Sequence, residues 1–553
     1  MNRRSEEMKI KNVSIYLSNI HKSIFRVRYH VSLIGRVCLK KMKNNITNTI
    51  VHHFVTKMES LHDDVIVAIS NELECEDKVR LIALTRHFNH IKYKMLFDLQ
   101  MHVKDIIHLT YFDRFTEIIM CSVDDKIPAS VTRIAFGDDF DSSIRRIKFP
   151  RTLTVIEFGN KFNKSVKGSV PKTVTHLVFG EKYNRLIKGC IPSSVTHLTF
   201  TEHFNQSIER SIPDSVTHLK LSYSFNKSIT GCLPDSIKYL DLGGSFDQPI
   251  LKSIPPFVTH LKLSYAFNQP IDNCIPKFVT HLDLGGNFNQ TIIGCVPVSV
   301  THLVFGDSFD QSIDCAIPRN VTHLTFGKKF NHPVENCIPV SVISLAFGNL
   351  FDKSLGNCVF PNLEHLILGG KFDRPIDRDM FPILKNLTFG WKFNQTITNS
   401  IPNTVTDLIF GHNFNQPIIG CIPNSVKFLM FGWDFNQVIY GCIPDSVTDL
   451  IFGHHFNQQI RHSIPNSVTN LDFGRDFNQP IDDAIPPSVT HLCFGKKFNH
   501  PIKGNIPLSI KQITFGGDFN HPITGLPSSV EQIFLCKKYH NKISVRSGIV
   551  TYY

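Results

Sequence analysis

Apolar residues return at fixed places between positions 127 and 535, in a pattern with a period of about 21 residues, which is typical of solenoid repeats. When a recurring proline is taken as position 0, Val stands at position 3, Leu at 6, Phe or Leu at 8, Phe at 12 and Ile at 16. Gly is usual at position 9 and Asn or Asp at 13, as in the unit Pro318, Val321, Leu324, Phe326, Gly327, Phe330, Asn331 and Val334. Apolar positions 6 and 8 have the period of a strand with one buried face. The pattern therefore predicts a mainly β solenoid of about twenty short coils.

The proline and the glycine limit what the rest of each coil can form. A proline breaks a helix, and about 21 residues are too few for a strand, two turns and a long helix, so we expect an extended return path. No coil can bury its own apolar face, so successive coils should stack into one core with parallel strands. The prolines are spaced one residue wider than usual before Pro150 and Pro361 and one residue closer before Pro402 and Pro527, and Phe-Pro replaces Ile-Pro at Pro361 and Pro382. A local change of twist is predicted there.

Two resemblances to known repeats follow from this pattern. The spacing V-x-x-L-x-F resembles the strand segment of leucine-rich repeats, especially short repeats that contain proline and lack a convex helix. The fuller motif I-P-x-S-V-T-H-L-x-F-G-x-x-F-N-Q-P-I is similar to that of the FNIP repeat family, which is known mainly from social amoebae and from large DNA viruses of amoebae. The resemblance implies a leucine-rich-repeat-like solenoid over residues 127–535 that binds other molecules and is not catalytic.

Residues 58–97, which precede the repeats, carry a helical pattern instead. Apolar residues recur every four positions from Leu61 to Leu73, with Asp63 and Asp64 in the first turn, where negative charge favours a helix. A second amphipathic segment carries its apolar residues from Leu81 to Ile91. This region is predicted to be a small helical module.

The order of residues in this module resembles an F-box. The matching residues are Leu61, Asp64, Val65, Ile66, Ile69, Leu73, Asp77, Arg80, Leu81, Leu84, Arg86 and Phe88. The chain has His62 where the family has proline, Lys78 where it has an apolar residue and Thr85 where it has Cys or Ser. The resemblance implies that a Skp-type adaptor subunit, and through it a cullin, is bound by Leu61, Val65, Ile66, Ile69, Leu73, Leu81, Leu84 and Phe88. Alternatively, residues 58–97 only cap the apolar end of the solenoid.

The segments that flank these domains differ in charge and in pattern. Residues 1–57 contain twelve Lys or Arg against Glu6 and Glu7, so they hold most of the formal net charge of +12. We predict a poorly ordered basic tail and expect nucleic acid as a partner of this tail only. Met58 is an alternative natural start. Residues 98–126 are predicted to be a helical linker or N-terminal cap, and residues 536–553 a C-terminal cap or tail.

The expected compartment follows from segments that the chain lacks, and the expected role of the cysteines follows from their position in the repeat. No apolar run approaches the roughly 20 residues of a membrane span, and residues 1–30 lack the apolar centre of a signal peptide. We therefore expect an intracellular, cytoplasmic protein without a membrane partner, in the host cytoplasm if the chain is viral. Most of the 14 cysteines stand at position 19, where other units have Ser or Ala, which indicates a small inward site rather than disulfides or a metal cluster.

Polar residues that recur in the repeats are predicted to be structural. Histidine occupies position 5 in many units and should form a ladder on the outward strand face, with pH sensing or metal binding as the alternative. The Asn at position 13 should satisfy backbone groups from coil to coil. The chain has no phosphate-binding loop, nucleophile elbow or paired-carboxylate motif, so we expect neither catalysis nor a cofactor nor a metal.

Variable positions are better candidates for recognition than repeated ones. Residues at positions 7, 10 and 11 change from unit to unit, and the two tryptophans of the chain fall on one edge. The candidate substrate-binding residues are Trp391, Trp433, His281, His302 and His323. Together these features predict a non-catalytic substrate-recognition adaptor of an SCF-type ubiquitin ligase, whose solenoid binds an unknown target protein. The alternative is a structural or scaffolding repeat protein without a ligase role.

Overall fold

The computed structural model describes residues 86–541, 543–544 and 549–553, together with Asp63, Ile66, Val67, Ser70 and Lys78. By its internal contacts the chain divides into two units between Tyr223 and Ser224, and each is described by itself. In these described residues, none of the helices has the length and apolar character needed to cross a bilayer.

The first unit is a ladder of short parallel strands that follow one another in chain order. Its described helices are α1 (Arg86–Ile91), α2 (Val103–Ile106) and two 3₁₀ turns (Phe112–Arg114 and Ile144–Arg146). Its strands are β1 (Met101–His102), β2 (Glu117–Met120), β3 (Arg133–Phe136), β4 (Val155–Glu157), β5 (His176–Phe179), β6 (His197–Phe200) and β7 (His218–Lys220).

The second unit is also a parallel ladder of short strands, and a 3₁₀ turn at Arg378–Met380 interrupts its extended return path. Its strands are β8 (Tyr239–Asp241), β9 (His260–Lys262), β10 (His281–Asp283), β11 (His302–Val304), β12 (His323–Thr325), β13 (Ser344–Ala346), β14 (His365–Ile367), β15 (Asn386–Thr388), β16 (Asp407–Ile409), β17 (Phe428–Met430), β18 (Asp449–Ile451), β19 (Asn470–Asp472), β20 (His491–Cys493), β21 (Gln512–Thr514), β22 (Gln532–Leu535) and β23 (Val550–Tyr552). The predicted mainly β solenoid is confirmed.

The core consists of the predicted apolar positions, stacked coil upon coil. The phenylalanines at positions 8 and 12 form two files, and in one coil Phe410 and Phe414 lie with ring centroids 4.0 Å apart. The next coil adds Phe431 at 5.6 Å from Phe410 and Phe435 at 6.1 Å from Phe414. All four rings are at most 3% exposed. Aromatic stacking therefore runs along the array and joins each coil to the next.

Each coil turns at three corners that its own backbone closes. In the coil that starts at Pro402, the carbonyl oxygens at positions 0, 9 and 16 accept bonds from the amides three residues later, at 3.1, 3.2 and 3.0 Å. Position 18 has a positive φ in most coils, as at Gly420 (65°), and residues other than glycine adopt it too, as at Lys252 (55°). A left-handed residue costs about 1–2 kcal/mol when it has a Cβ, so the corner is imposed by the stacked core.

The Asn or Asp at position 13 links neighbouring coils, as predicted. In the second unit, Asn415 Oδ1 accepts a bond from the Asn436 amide at 2.9 Å and another from Gln437 Nε2 at 2.9 Å. Asp373 serves Asn394 in the same way at 2.9 Å, so a carboxylate replaces the amide oxygen without loss of the contact. The ladder of side-chain oxygens satisfies backbone donors that no strand reaches.

The strand register remains constant where the proline spacing changes. Leu345 pairs with Leu366, Leu366 with Leu387 and Leu387 with Leu408, so the interval between paired strands is the same at each step. Pro361 and Pro382 are each displaced by one residue relative to their strands, and Phe360 and Phe381 are buried beside them. The altered proline spacing is absorbed in the corner and leaves the strand pairing intact, and a change of twist there stays a prediction.

Both ends of the predicted array are longer than expected. Residues 98–126 contain strands β1 and β2, which pair with each other and with β3, so the predicted helical linker is reduced to α2 and one 3₁₀ turn. Met120 and Ile118 are fully buried at the places of the repeat's strand residues. At the other end β23 pairs with β22, so residues 536–553 add a further strand. Residues 98–126 lack the repeat proline and phenylalanine pattern, which is why the sequence does not predict strands there, whereas strand β23 is compatible with the predicted C-terminal cap.

Candidate functional site

The outward side of the strands is the surface on which variable residues are displayed. In β12, Leu324 at position 6 is buried, whereas His323 and Thr325 on either side of it are exposed. The same alternation recurs through the ladder, because consecutive side chains of a strand point to opposite sides. Positions 5 and 7 therefore form two parallel rows on an accessible face.

Four histidines of the second unit form one stack at position 5. His260, His281, His302 and His323 follow each other with ring centroids 4.1, 4.1 and 4.2 Å apart and planes within 14° of parallel. The three histidines chosen from the sequence are thus brought together, and His260 joins them. In the first unit His176, His197 and His218 stack in the same manner.

The preceding threonines hold these imidazoles in place. Thr280 Oγ1 lies 3.2 Å from the carbonyl oxygen of Thr259 and 3.0 Å from His281 Nδ1. Thr301 and His302 repeat the arrangement. The Nδ1 atom of each ring is thus occupied by its own threonine.

Burial and mutual repulsion disfavour the charged form of the two inner histidines of this stack, His281 and His302. Burial lowers the pKa of His302, and positive charge on His281 and His323 lowers it further. The pKa of His281 is lowered by the same causes. Parallel rings point their nitrogens side by side, so they do not converge on one ion, and the described residues contain no group of three or more His, Cys, Asp or Glu that could hold a metal.

The two tryptophans belong to a second aromatic stack, which we call the Trp–His column: Trp391, His412, Trp433 and His454. Its ring centroids lie 5.2, 4.3 and 4.3 Å apart, with planes within 16° of parallel. Trp391 is 60% exposed and Trp433 46% exposed. The column follows the edge where each strand ends, and it lies on other coils than the position 5 histidines.

A pocket of about 400 Å³ opens between the Trp–His column and the row at position 7. Its apolar side is formed by Met430, Trp433 and Ile451, and Phe452 lies beneath them. Met430 and Ile451 occupy the outward strand position, which holds Lys220 or Thr325 in other coils. Together with Ile409, they make three successive apolar residues on a face that is otherwise mixed.

The far side of the pocket carries charge. Arg475 and Lys496 line it, are exposed, and form no ion pair with any described residue. Asp472 also lines it, but its Oδ1 accepts a bond from the Gly474 amide at 2.9 Å, which holds the local turn. The pocket thus combines an apolar floor with two cations at one rim.

An ion-pair cluster beside the pocket is already neutralised. Asp476 contacts His455 Nδ1 at 2.8 Å and Lys497 Nζ at 3.0 Å. Burial raises the pKa of Asp476, but these two hydrogen bonds outweigh that effect and leave its pKa below the ordinary value. Lys497 therefore differs from Arg475 and Lys496, whose charges remain available.

The residues predicted to bind an adaptor are described only in small part. Leu61, Val65, Ile69, Leu73, Leu81, Leu84 and the side chain of Phe88 lie outside the described residues. Ile66 is helical and has no exposed surface. The role of these residues in binding an adaptor stays a prediction.

The sequence placed most members of the pocket and of the column at the variable positions 7 and 10, with both tryptophans on one edge, but it did not group them into one site. It put Trp391 at position 9 and Trp433 at position 10, because the proline at Pro382 is displaced by one residue. The signal was the constant interval between paired strands, which aligns Trp391 with His412, Trp433 and His454. The same interval continues to two further residues, Arg475 and Lys496.

Comparison with known proteins places these features in context. The FNIP Repeat family matches the chain in consecutive segments from residue 123 to residue 538. The crystal structure of CroV588, described as a novel circular leucine-rich-repeat protein, is 30% identical and has a TM-score of 0.56. That similarity covers 87% of this chain and 88% of CroV588. The leucine-rich-repeat-like fold predicted from the sequence is thereby confirmed.

Two proteins of Acanthamoeba polyphaga mimivirus that are named as F-box proteins, L166 and L168, are also similar. They are 26% identical over 91 residues and 29% identical over 86 residues. These segments make up 16% and 15% of this chain, and 36% and 42% of the relatives. The chain therefore spans less than half the length of the curated relatives it matches.

Proposed function

This chain belongs to the FNIP repeat family, and from that premise we propose that it is a non-catalytic adaptor which binds a target protein through its repeat array. The observation that carries the proposal is the pocket beside Trp433, where this exposed aromatic side chain stands next to the half-buried Met430 and Ile451. Large exposed aromatic residues next to apolar ones are frequent anchors of protein interfaces. An adaptor of this kind acts by holding its target in place, so it needs no reactive groups.

The finer proposal concerns the other end of the chain. We infer that the helical module docks on the Skp subunit of a cullin–RING ubiquitin ligase, in the cytoplasm of the host cell. The F-box resemblance from Leu61 to Phe88 and the F-box names of the two mimivirus relatives support it. Ubiquitin transfer would then be performed by other subunits, while this chain supplies proximity between them and the target.

The test is co-purification of the full chain with a Skp adaptor from an amoeba. The variant V65D/I69D should lose the adaptor, because two charges replace apolar residues on the predicted helix face. The control is Ile419→Asp, which places the same chemistry at a 75% exposed position of the array and should retain the adaptor. If the double variant still captures the adaptor at the level of the unaltered chain, the assigned interface is wrong.

A scaffolding protein whose helices only cap the array is the second candidate, and one buried lysine favours it. Lys78 is 2% exposed and donates to Asp98 Oδ1 at 2.8 Å and to the Leu96 carbonyl at 3.1 Å. The contact with Asp98 ties a helical residue of the module to the segment just before β1, as a cap requires. The ion pair between Lys94 Nζ and Asp63 Oδ2, at 2.9 Å, lies within residues 58–97.

Hydrogen exchange separates the two candidates. In V65D/I69D, a capping role would make the amides of β1 to β3 exchange faster, because the end of the core would be uncovered. A docking role would leave those amides protected while adaptor capture is lost. Faster exchange together with an amoebal adaptor that never binds the unaltered chain would favour the scaffold.

A further inference from the structure

The pocket beside the Trp–His column has the size and the lining to receive one large side chain. Its volume of about 400 Å³ lies near the lower end of the range for small binding sites. Met430 and Ile451 are half-buried and Trp433 is exposed, and no described segment of the chain covers them. The floor is rigid, because Phe431 and Phe452 below it belong to the stacked core.

The charge at its rim restricts the chemistry of an occupant. Arg475 and Lys496 stand in consecutive coils at the same place, so their side chains lie side by side along the array. Both lack an ion-pair partner among the described residues, whereas the neighbouring Lys497 is bound to Asp476. Asp472, the acidic residue of the lining, is held by the Gly474 amide. The two cations outnumber this one carboxylate, so the rim is complementary to a further carboxylate.

Stacking of a nucleic acid base is disfavoured at this site. The ring of Trp433 has His412 on one face at 4.3 Å and His454 on the other at 4.3 Å. A base needs an open aromatic face on which to stack. The pocket presents the edge of the indole and apolar side chains, which suit an inserted side chain instead.

We propose that this pocket binds a peptide segment of the target in which a large apolar or aromatic residue stands next to an acidic one. The apolar side chain enters between Met430, Trp433 and Ile451, and the acidic residue pairs with Arg475 and Lys496. The inference rests on the proposed function, since it assumes that the array binds proteins, and it names the chemical class of the segment recognised.

The experiment is a selection of random short peptides, displayed on phage, against the full chain. Three changes test the pocket: Trp433→Ala removes the anchor wall, Met430→Lys fills the entrance, and R475E/K496E reverses the rim. Lysine is tolerated by the fold at position 7, because Lys220 and Lys262 stand there in other coils.

Matched controls exist on other coils. Tyr265→Ala removes an aromatic residue that is 53% exposed at the edge position equivalent to that of Trp433. K329E/K371E changes the net charge by the same amount as the rim variant, at exposed lysines without an ion pair among the described residues. Thermal unfolding of every variant checks that the array remains folded.

The enriched peptides should share an apolar or aromatic residue with Asp or Glu beside it. Loss of an interface anchor typically costs tenfold or more in affinity, so Trp433→Ala and Met430→Lys should each weaken the synthetic peptides at least about tenfold. R475E/K496E should weaken binding only for peptides that retain the acidic residue. The two control variants should bind the peptides with the affinity of the unaltered chain. Enriched peptides without an acidic residue, or unchanged binding by the pocket variants, would overturn the proposal.

Two further outcomes identify what has failed. If a single-stranded oligonucleotide binds the full chain but not Trp433→Ala, the occupant of the pocket is nucleic acid and not a peptide. Capture of a Skp adaptor is measured separately and depends on residues 58–97. Selected peptides that bind the pocket, in a chain that captures no adaptor, would therefore uphold this site and reject the ligase role.

Discussion

The carbonyl oxygen of Gly411 occupies the place where a Cβ on Gly432 would stand. Gly432 in turn presents its own carbonyl to Gly453 in the same manner. Position 9 is therefore a glycine file in which the backbone of one coil touches that of the next. At Gly432 the glycine is required by this close approach and not by a positive φ, whereas Gly243, Gly285 and Gly474 at the same position do have a positive φ.

From this contact we predict that Gly432→Ala lowers the free energy of unfolding by about 1–3 kcal/mol, the usual range for overpacking. Denaturant unfolding followed by circular dichroism measures it. Gly517→Ala is the matched control, because its Cβ would meet only the Cys536 sulfur, at 3.9 Å. An equal loss in both variants would mean that removal of glycine, and not the close approach, is responsible.

The side-chain oxygen at position 13 gives the second prediction. Asn415→Ala leaves the Asn436 amide without the acceptor that it contacts at 2.9 Å, whereas Gln437 Nε2 keeps the Asn415 carbonyl oxygen at 3.0 Å. An unsatisfied buried donor costs about 1–3 kcal/mol, and Asn436 is half-buried, so we expect the lower part of that range.

Asn415→Asp is the control for this ladder, since a carboxylate supplies the same acceptor and Asp373 already does so two coils earlier. We expect the aspartate variant to unfold close to the unaltered chain. If alanine and aspartate destabilise the protein equally, the ladder contributes no specific acceptor, and the amide side of Asn415 matters instead.

The stacked imidazoles give a dependence on pH. The pKa of His302 lies below its ordinary value of 6.5, first because of burial and then because of its histidine neighbours, so the unfolded chain binds protons more readily than the folded one. The stability that the neutral His302 contributes is fully present above about pH 6.5. It is lost as the pH falls through the lower pKa that His302 has in the folded state. In H281N/H302N the unfolding midpoint should depend less on pH between about pH 5 and 8, the range in which histidine titrates.

His365 provides the control for the ladder, because its neighbours at the same position are Ser344 and Asn386. His365→Asn removes one imidazole without removing a stacked pair, and Asn386 shows that the fold accepts asparagine there. The slope of the unfolding midpoint against pH should change little in this variant. A change as large as that of the double variant would assign the effect to single histidines rather than to stacking.

The contacts that recur from coil to coil were predictable because the residues that make them repeat many times in the sequence. Leu324 and Phe326 mark the buried side of a strand by their spacing alone, and Asn415 belongs to a column whose role follows from one turn per coil. The position 5 histidines were expected to stack because parallel strands place identical residues side by side. In each case one repeating unit determines its neighbour.

Features that do not repeat from one coil to the next were not predicted. Strands β1 and β2 lack the repeat motif and are recognised only through pairing with β3. Nothing about Lys252 marks it as left-handed, since the stacked core rather than its own preference sets φ. The pocket depends on which residues stand together on four successive coils, and the repeat pattern does not determine that combination.

The donor at position 13 and the acceptor one coil earlier give the array a direction with an unfinished contact at each end. Any stretch as long as one coil supplies both halves of that contact, so copying or removing a whole coil would leave every neighbour with the groups it needs. Lengthening by duplication thus preserves the hydrogen bonding, whereas a change of a few residues inside a coil must be absorbed at a corner, as at Pro361. In such a scaffold the number of coils can change without loss of these hydrogen bonds. New recognition surfaces arise from substitutions at the outward strand positions.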